Sequence, residues 1–139
     1  MRVLMILLLL PVPLLAGISG CDDLAAIPET PQVDFSLEIQ PIFDDNCVVC
    51  HGGPNPIADM NLELGYEQLV SIPSFQIPGL NRIEPNLPSM SYLFFKINCS
   101  NQLSGDRMPR DADPLNVFDQ ALIRDWINQM IIFSDGFEE

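Results

Sequence analysis

The sequence predicts a small domain with a helix near each end and an irregular middle, and three observations predict it. Phe35, Ile39, Phe43 and Cys47 recur every four residues, the spacing of one helix face. Phe118, Leu122, Trp126 and Met130 repeat that spacing near the other end, and Leu115, Val117, Ile123 and Ile127 widen the stripe into a core face. Between them, residues 71–88 hold Pro73, Pro78, Pro85 and Pro88, too many for a regular helix or a central strand.

The first segment concerns export rather than folding. Met1 and Arg2 form a minimal positive start, and residues 3–15 are apolar apart from Pro11 and Pro13, a run too short and too proline-broken for a membrane span. It reads as a secretory signal. Leu15-Ala16-Gly17-Ile18-Ser19-Gly20-Cys21 then places small residues before a cysteine and resembles the lipobox of bacterial lipoproteins. The resemblance implies a signal peptide over residues 1–20, cleavage before Cys21, and lipidation of Cys21. Asp22 and Asp23 directly afterwards leave the membrane leaflet open. Residues 21–32, with Pro28 and Pro31 and little apolar periodicity, read as a tether, and the folded domain as residues 33–139.

Within that domain Pro41 limits the first helix, because proline is tolerated only near a helix start. The regular helix is expected from about Gln40, with residues 34–39 as a preceding turn. Gly52-Gly53-Pro54-Asn55-Pro56 must be loop. A short helix is expected around residues 66–70. Residues 89–97 are ambiguous, since their aromatics favour a strand while serines after Pro88 can cap a helix. Asn116 can cap the last helix with Asp119 three residues on, and residues 134–139 form an acidic tail.

Charge narrows the function classes. The chain carries a formal −13; losing residues 1–20 removes one arginine, leaving five basic residues against 19 acidic ones among 119, or about −14. Such acidity argues against nucleic acid and anionic lipid surfaces as partners, and suits solubility or a basic docking partner.

The chemistry concentrates in Cys47-Val48-Val49-Cys50-His51, which contains the only histidine. Two thiols at this spacing can add to the two vinyl groups of one porphyrin, and the adjacent imidazole then ligates the iron: this is the haem c attachment pattern. Competing readings are a redox dithiol or disulfide, which in the thioredoxin arrangement wants a helix starting at the cysteine, and a zinc site built from Cys47, Cys50, His51 and Cys99. Adjacent Cys50 and His51 make that zinc geometry awkward.

Ile39-Gln40-Pro41-Ile42-Phe43 leading into the pentapeptide and Gly52-Gly53, then Gly105-Asp106-Arg107-Met108-Pro109, then Ile123-Arg124-Asp125-Trp126-Ile127, together resemble the class I (mitochondrial-like) monohaem cytochromes c. The resemblance spans most of residues 33–139. It implies an all-α fold in which helices, including one over residues 91–97, wrap one covalently bound haem. A long proline-rich insert at 71–88 and the lack of a lysine-rich docking face depart from the best-studied members.

The sixth iron ligand is constrained by inventory. With one histidine, Met, Lys or an open site remain, and without Met1 and Met5 the methionines are Met60, Met90, Met108 and Met130. Met130 continues a core stripe and Met60 lies close after His51. Met108 sits in a loop punctuated by glycine and proline between two helical segments, and the resemblance points to the same residue, with Met90 as its main substitute. Arg82 and Tyr92 are candidates for contacting haem propionates, and Pro54 or Pro56 for offering a carbonyl to the imidazole. Cys99 is left as an odd thiol, either buried or able to pair with another chain.

The expected function is electron transfer by a periplasmic, membrane-anchored cytochrome, with cofactor residues Cys47, Cys50, His51 and Met108, iron ligands His51 and Met108, and redox proteins as partners. Enzyme chemistry is not expected, because no second histidine exists for acid-base work on peroxide. A haem-based gas sensor would need an exchangeable sixth ligand, and a non-haem interaction lipoprotein would hold a Cys47–Cys50 disulfide or zinc.

Overall fold

A computed structural model describes residues 20–101 and 103–130. The signal-peptide reading therefore falls almost wholly outside the described residues, and the acidic tail entirely so. Among the described residues there are three α-helices and no strand: α1 (Gln40–Asn46), α2 (Tyr92–Asn98) and α3 (Val117–Asn128), with 3-10 turns at Ile57–Asp59, Gly65–Gln68 and Pro88–Met90. This is an all-α arrangement. None of its helices is long and apolar enough to cross a membrane.

One π-helical turn, Phe35–Ile39, runs directly into α1. Asp34 caps that turn by accepting the Leu37 N–H, while Glu38 reaches back to accept the Asp34 N–H at 2.7 Å. Pro41 falls in the first turn of α1, where its missing N–H has no partner to lose. Ile39, Ile42 and Phe43 are buried, with Phe35, Cys47 and Val48 packed partly against them. The four-residue spacing thus becomes one apolar face ending at the cysteine motif.

The first turn and the last helix meet through aromatics. The Phe35 ring lies 5.0 Å from Trp126 and 6.0 Å from Tyr66, so three aromatics pack together where the first turn meets α3. Gly65 makes room for this: it adopts a φ of +53°, and a Cβ there would stand 2.7 Å from the Phe35 ring.

The ambiguous segment is helix. The Pro88–Met90 turn feeds α2, but the Ser91 hydroxyl does not cap it; fully buried, it accepts the Glu84 N–H and bonds to the Leu87 carbonyl. Residues 69–83 fold back on themselves, with Ser71 N–H bonding to Ile83 O, Arg82 N–H to Ile72 O and Ser74 N–H to Leu80 O. The proline-rich stretch is therefore a narrow loop whose backbone pairs partly with itself and partly, through the Asn81 and Arg82 carbonyls, with the start of α2.

α3 starts as expected, with the Asn116 side chain accepting the N–H groups of Phe118 and Asp119. Its buried face is rotated from the expected stripe. Phe118 is 71% exposed and Val117 is exposed, whereas Gln120 and Asp125 are buried beside Ile123, Trp126, Ile127 and Met130. Two polar residues are tolerated there because both find hydrogen-bond partners, and each has one of them in residues 21–33.

That segment, expected as a tether, lies against α3. Thr30 N–H bonds to Asp125 Oδ2 at 2.8 Å, Val33 N–H to Gln129 Oε1 at 2.8 Å, and Arg124 donates to the carbonyls of Leu24 and Ile27, with Leu24 itself buried. Residues 21–33 form a strap along α3. Its polar backbone pairs with side chains that periodicity alone assigns to solvent.

At the start of the strap Cys21 is bonded to Cys99 in a disulfide, and the two form an antiparallel bridge. Cys99 is thus buried and paired within its own chain. One sulfur cannot hold both this bond and a diacylglyceryl thioether, so the disulfide takes the atom that lipidation of Cys21 requires.

Candidate cofactor site

The chain leaves α1 in a tight turn: Cys50 N–H and His51 N–H both bond to the Cys47 carbonyl, and Cys47 N–H to Phe43 O. The two cysteines are free thiols on this turn, Cys47 partly buried and Cys50 exposed. Gly52 lets the chain double back, since a Cβ there would stand 2.7 Å from the Val48 carbonyl oxygen.

His51 is half-buried, and its Nδ1 lies 3.0 Å from the Ile57 carbonyl oxygen. The carbonyl is an acceptor, so it fixes the proton on Nδ1 and leaves Nε2 deprotonated, the form that binds a metal. Burial holds the imidazole pKa below its ordinary value, against the Ile57 hydrogen bond and with help from the Arg82 charge. Neutral imidazole is favoured. The orienting carbonyl is that of Ile57, not Pro54 or Pro56; the Pro56 carbonyl accepts the Asp59 N–H and closes the following turn.

Arg82 supports this corner. Its guanidinium donates to the carbonyls of Gln68 at 2.8 Å, Asp59 at 2.9 Å and Ala58 at 3.3 Å, and Ala58 and Asp59 both have positive φ. Those donors hold a strained corner that hands the Ile57 carbonyl to the imidazole. Arg82 is committed to backbone rather than free for a propionate.

His51 and Cys47 open onto a cavity of about 280 Å³, near the lower edge of small-molecule sites. Phe43, Leu62, Leu93, Ile97, Leu115 and Ile123 supply apolar wall, and the 74–76 tip of the paired loop forms another side. Met108 also lines it, carried by the loop between α2 and α3. Cys47, His51 and Met108 thus reach one apolar space, while Cys50 stays on the outer side of the turn.

The other methionines sort by position. Met90 is exposed and Met130 is in the core, and neither lines the cavity, but Met60 does. Met60, and not Met90, is therefore the residue that competes with Met108. Lys96 also reaches the wall; its ammonium is hydrogen-bonded to the Ser104 and Asp106 carbonyls, and burial holds its pKa below the ordinary value. The Tyr92 hydroxyl lies 3.1 Å from both Gln76 Oε1 and the Ser104 carbonyl, with its pKa raised by burial.

The competing chemistries fare differently. Cys99 is spent on Cys21, and among the described residues no group of three or more His, Cys, Asp or Glu side chains is placed to hold a metal ion, so the Cys3His zinc set is not assembled. Burial, with Cys50 adding to it, pushes the Cys47 thiol up to about 12. A reactive dithiol needs a depressed thiol pKa, the opposite condition.

No family model, curated protein or solved structure matches this chain. The residues present fit a largely apolar group held by soft and imidazole donors. Among the described residues Nε2 of His51 has no hydrogen-bond partner, and the two thiols beside it are unbonded.

Proposed function

We propose that this chain is an exported electron-transfer cytochrome c of the class I type, attaching one haem through Cys47 and Cys50 and ligating its iron with His51 and Met108. A single observation carries the reading. An apolar cavity is lined at once by Cys47, by Met108 and by a histidine whose Nδ1 is already committed to a carbonyl. When bound, haem supplies a reversible one-electron couple, with a thioether ligand favouring a higher potential than a second imidazole.

The protein's share is position and dielectric. Ile57 O, held by the Arg82 corner, orients the imidazole and raises its basicity. Phe43, Leu62, Leu93, Ile97 and Ile123 exclude water, and the loop reaching Lys96 and Asp106 presents Met108. With His51 and Met108 both holding the iron, no position would be left for oxygen or peroxide, which suits electron transfer over catalysis. The acidity of the chain favours a basic redox partner in the periplasm or membrane and disfavours nucleic acid.

Export suits both fates of the Cys21 sulfur, since disulfides persist in oxidising compartments. Anchoring through Cys21 belongs to a chain cleaved before that residue. In a chain acylated on the Cys21 thiol the Cys21–Cys99 bond would not form, and the Asp22 contacts to Asn98, Arg107 and Gln120 would keep the strap in place.

The test is the purified protein from a host that assembles haem c. A mass increment of one haem on the pentapeptide and a low-spin ferric spectrum at neutral pH are expected. High-spin ferric iron, or rapid carbon monoxide binding by the reduced protein, would replace the electron carrier with a gas-binding module. A mature domain without haem would overturn the reading entirely.

A further inference from the structure

We propose that Asp22 is a positioning residue for Met108, acting across the fold through Arg107; the proposal rests on the reading of Met108 as an axial ligand. The argument begins with the end of α2. The last carbonyls of a helix lack intrahelical partners and must find others. Here Lys96 O accepts the Met108 N–H at 2.8 Å, Ile97 O accepts Arg107 Nε at 3.0 Å and Nη2 at 2.9 Å, and Asn98 O accepts the Asp22 N–H at 3.0 Å. Three successive carbonyls are capped by the methionine, its neighbour and the strap. The arginine also places positive charge at a helix C-terminus, where it is favoured.

Asp22 ties these caps together. Its Oδ2 accepts from the same Arg107 Nη2 and, at 2.7 Å, from Gln120 Nε2 of α3. Gln120 is fully buried, and its Oε1 accepts from Asn98 Nδ2, which also donates to the Asp22 carbonyl. One carboxylate therefore joins the strap, both later helices and the residue preceding Met108. Without it, Arg107 keeps only the Ile97 carbonyl and loses its connection through Asp22 to Gln120 of α3. The aspartate that follows the lipobox-like cysteine is, in this fold, part of the ligand's support.

The experiment compares the haem-loaded full chain with Asp22→Asn, Arg107→Lys and, as a neighbouring control, Asp23→Asn, whose wild-type carboxylate only accepts the Ala25 N–H. Hydrogen exchange of the Met108 amide and the thioether-to-iron charge-transfer absorption are read together. Loss of a charge-assisted hydrogen bond predicts roughly tenfold faster exchange and a weakened absorption in Asp22→Asn and Arg107→Lys, with Asp23→Asn unchanged. Wild-type exchange and absorption in both site variants would overturn the proposal. Should Asp22→Asn fail to fold, Arg107→Lys decides, because it keeps the charge but puts one ammonium nitrogen where Nε and Nη2 together serve Ile97 and Asp22. A wild-type protein without the charge-transfer absorption would instead remove the axial reading, while the amide exchange still reports whether Asp22 holds the loop.

Discussion

His51 Nδ1 and the Ile57 carbonyl oxygen stand 3.0 Å apart, and this pairing decides which ring nitrogen faces a metal. The partners are six positions apart, and the loop between them bends back because Gly52 and Gly53 permit it. The Arg82 bonds to the next two carbonyls make that bend a fixed part of the site.

Arg82→Leu should leave the Gln68, Ala58 and Asp59 carbonyls without their donor. Charge-assisted hydrogen bonds contribute about 1.5–3 kcal/mol each, and water recovers part of the loss, so a net destabilisation of about 2–4 kcal/mol is expected. The denaturant midpoint measures it. The His51 Nδ1–H should exchange faster in the same variant, and an unchanged rate would disconnect Arg82 from the imidazole.

Met108→Ala should convert the iron to a high-spin form that binds carbon monoxide rapidly on reduction. Met60→Leu, at the other methionine on the wall, should leave the absorption spectrum unchanged. The reverse pattern would transfer the axial role to Met60.

Gly65→Ala should destabilise the fold by about 1–3 kcal/mol, since it puts a Cβ into a positive-φ site and 2.5 Å from Gln40 Oε1. For a domain of this size the melting temperature should fall by roughly 3–8 °C per kcal/mol. The cofactor spectrum should survive, because the clash lies at the aromatic end of the core.

Peptide mapping of the mature protein under non-reducing conditions should return one of two products at Cys21, a disulfide to the Cys99 peptide or a thioether-lipidated terminus. Cys99→Ser separates them further. It removes the disulfide outright, but leaves membrane association intact if Cys21 carries lipid.

Acid should loosen the strap. The Arg107 hydrogen bond, followed by that of Gln120, holds the Asp22 carboxyl below its ordinary value of 3.8. A carboxyl with a lowered folded pKa stabilises the fold above pH 3.8 and loses that contribution as pH falls through the lowered value. Stability should therefore decline below about pH 4, and Asp22→Asn should flatten that decline in acid titrations followed by circular dichroism.

The residues that sequence periodicity could read were those whose partners are close in the chain or simply apolar. The face of Phe35, Ile39, Phe43 and Cys47 needs only a core to pack on, and the Asn116 cap needs only its own helix. The rotation of α3 was not legible, because Gln120 and Asp125 are buried by partners almost a hundred residues away in the strap. Ile57 was invisible for another reason: its contribution is a backbone carbonyl, which every residue possesses. Met60 is close to His51 in sequence, which hides it as a ligand candidate, yet the Ile57–Asp59 turn returns it to the cavity wall. Lys96 sits in an aromatic run that disguises a buried ammonium.

The strap along α3 also sets how far a membrane anchor could let this protein travel. Twelve extended residues would give a leash of about 40 Å. Laid against Arg124, Asp125 and Gln129, they pay out no slack. A lipid on Cys21 would hold the domain close against the membrane as a bracket holds a shelf, so that any partner would have to meet it there.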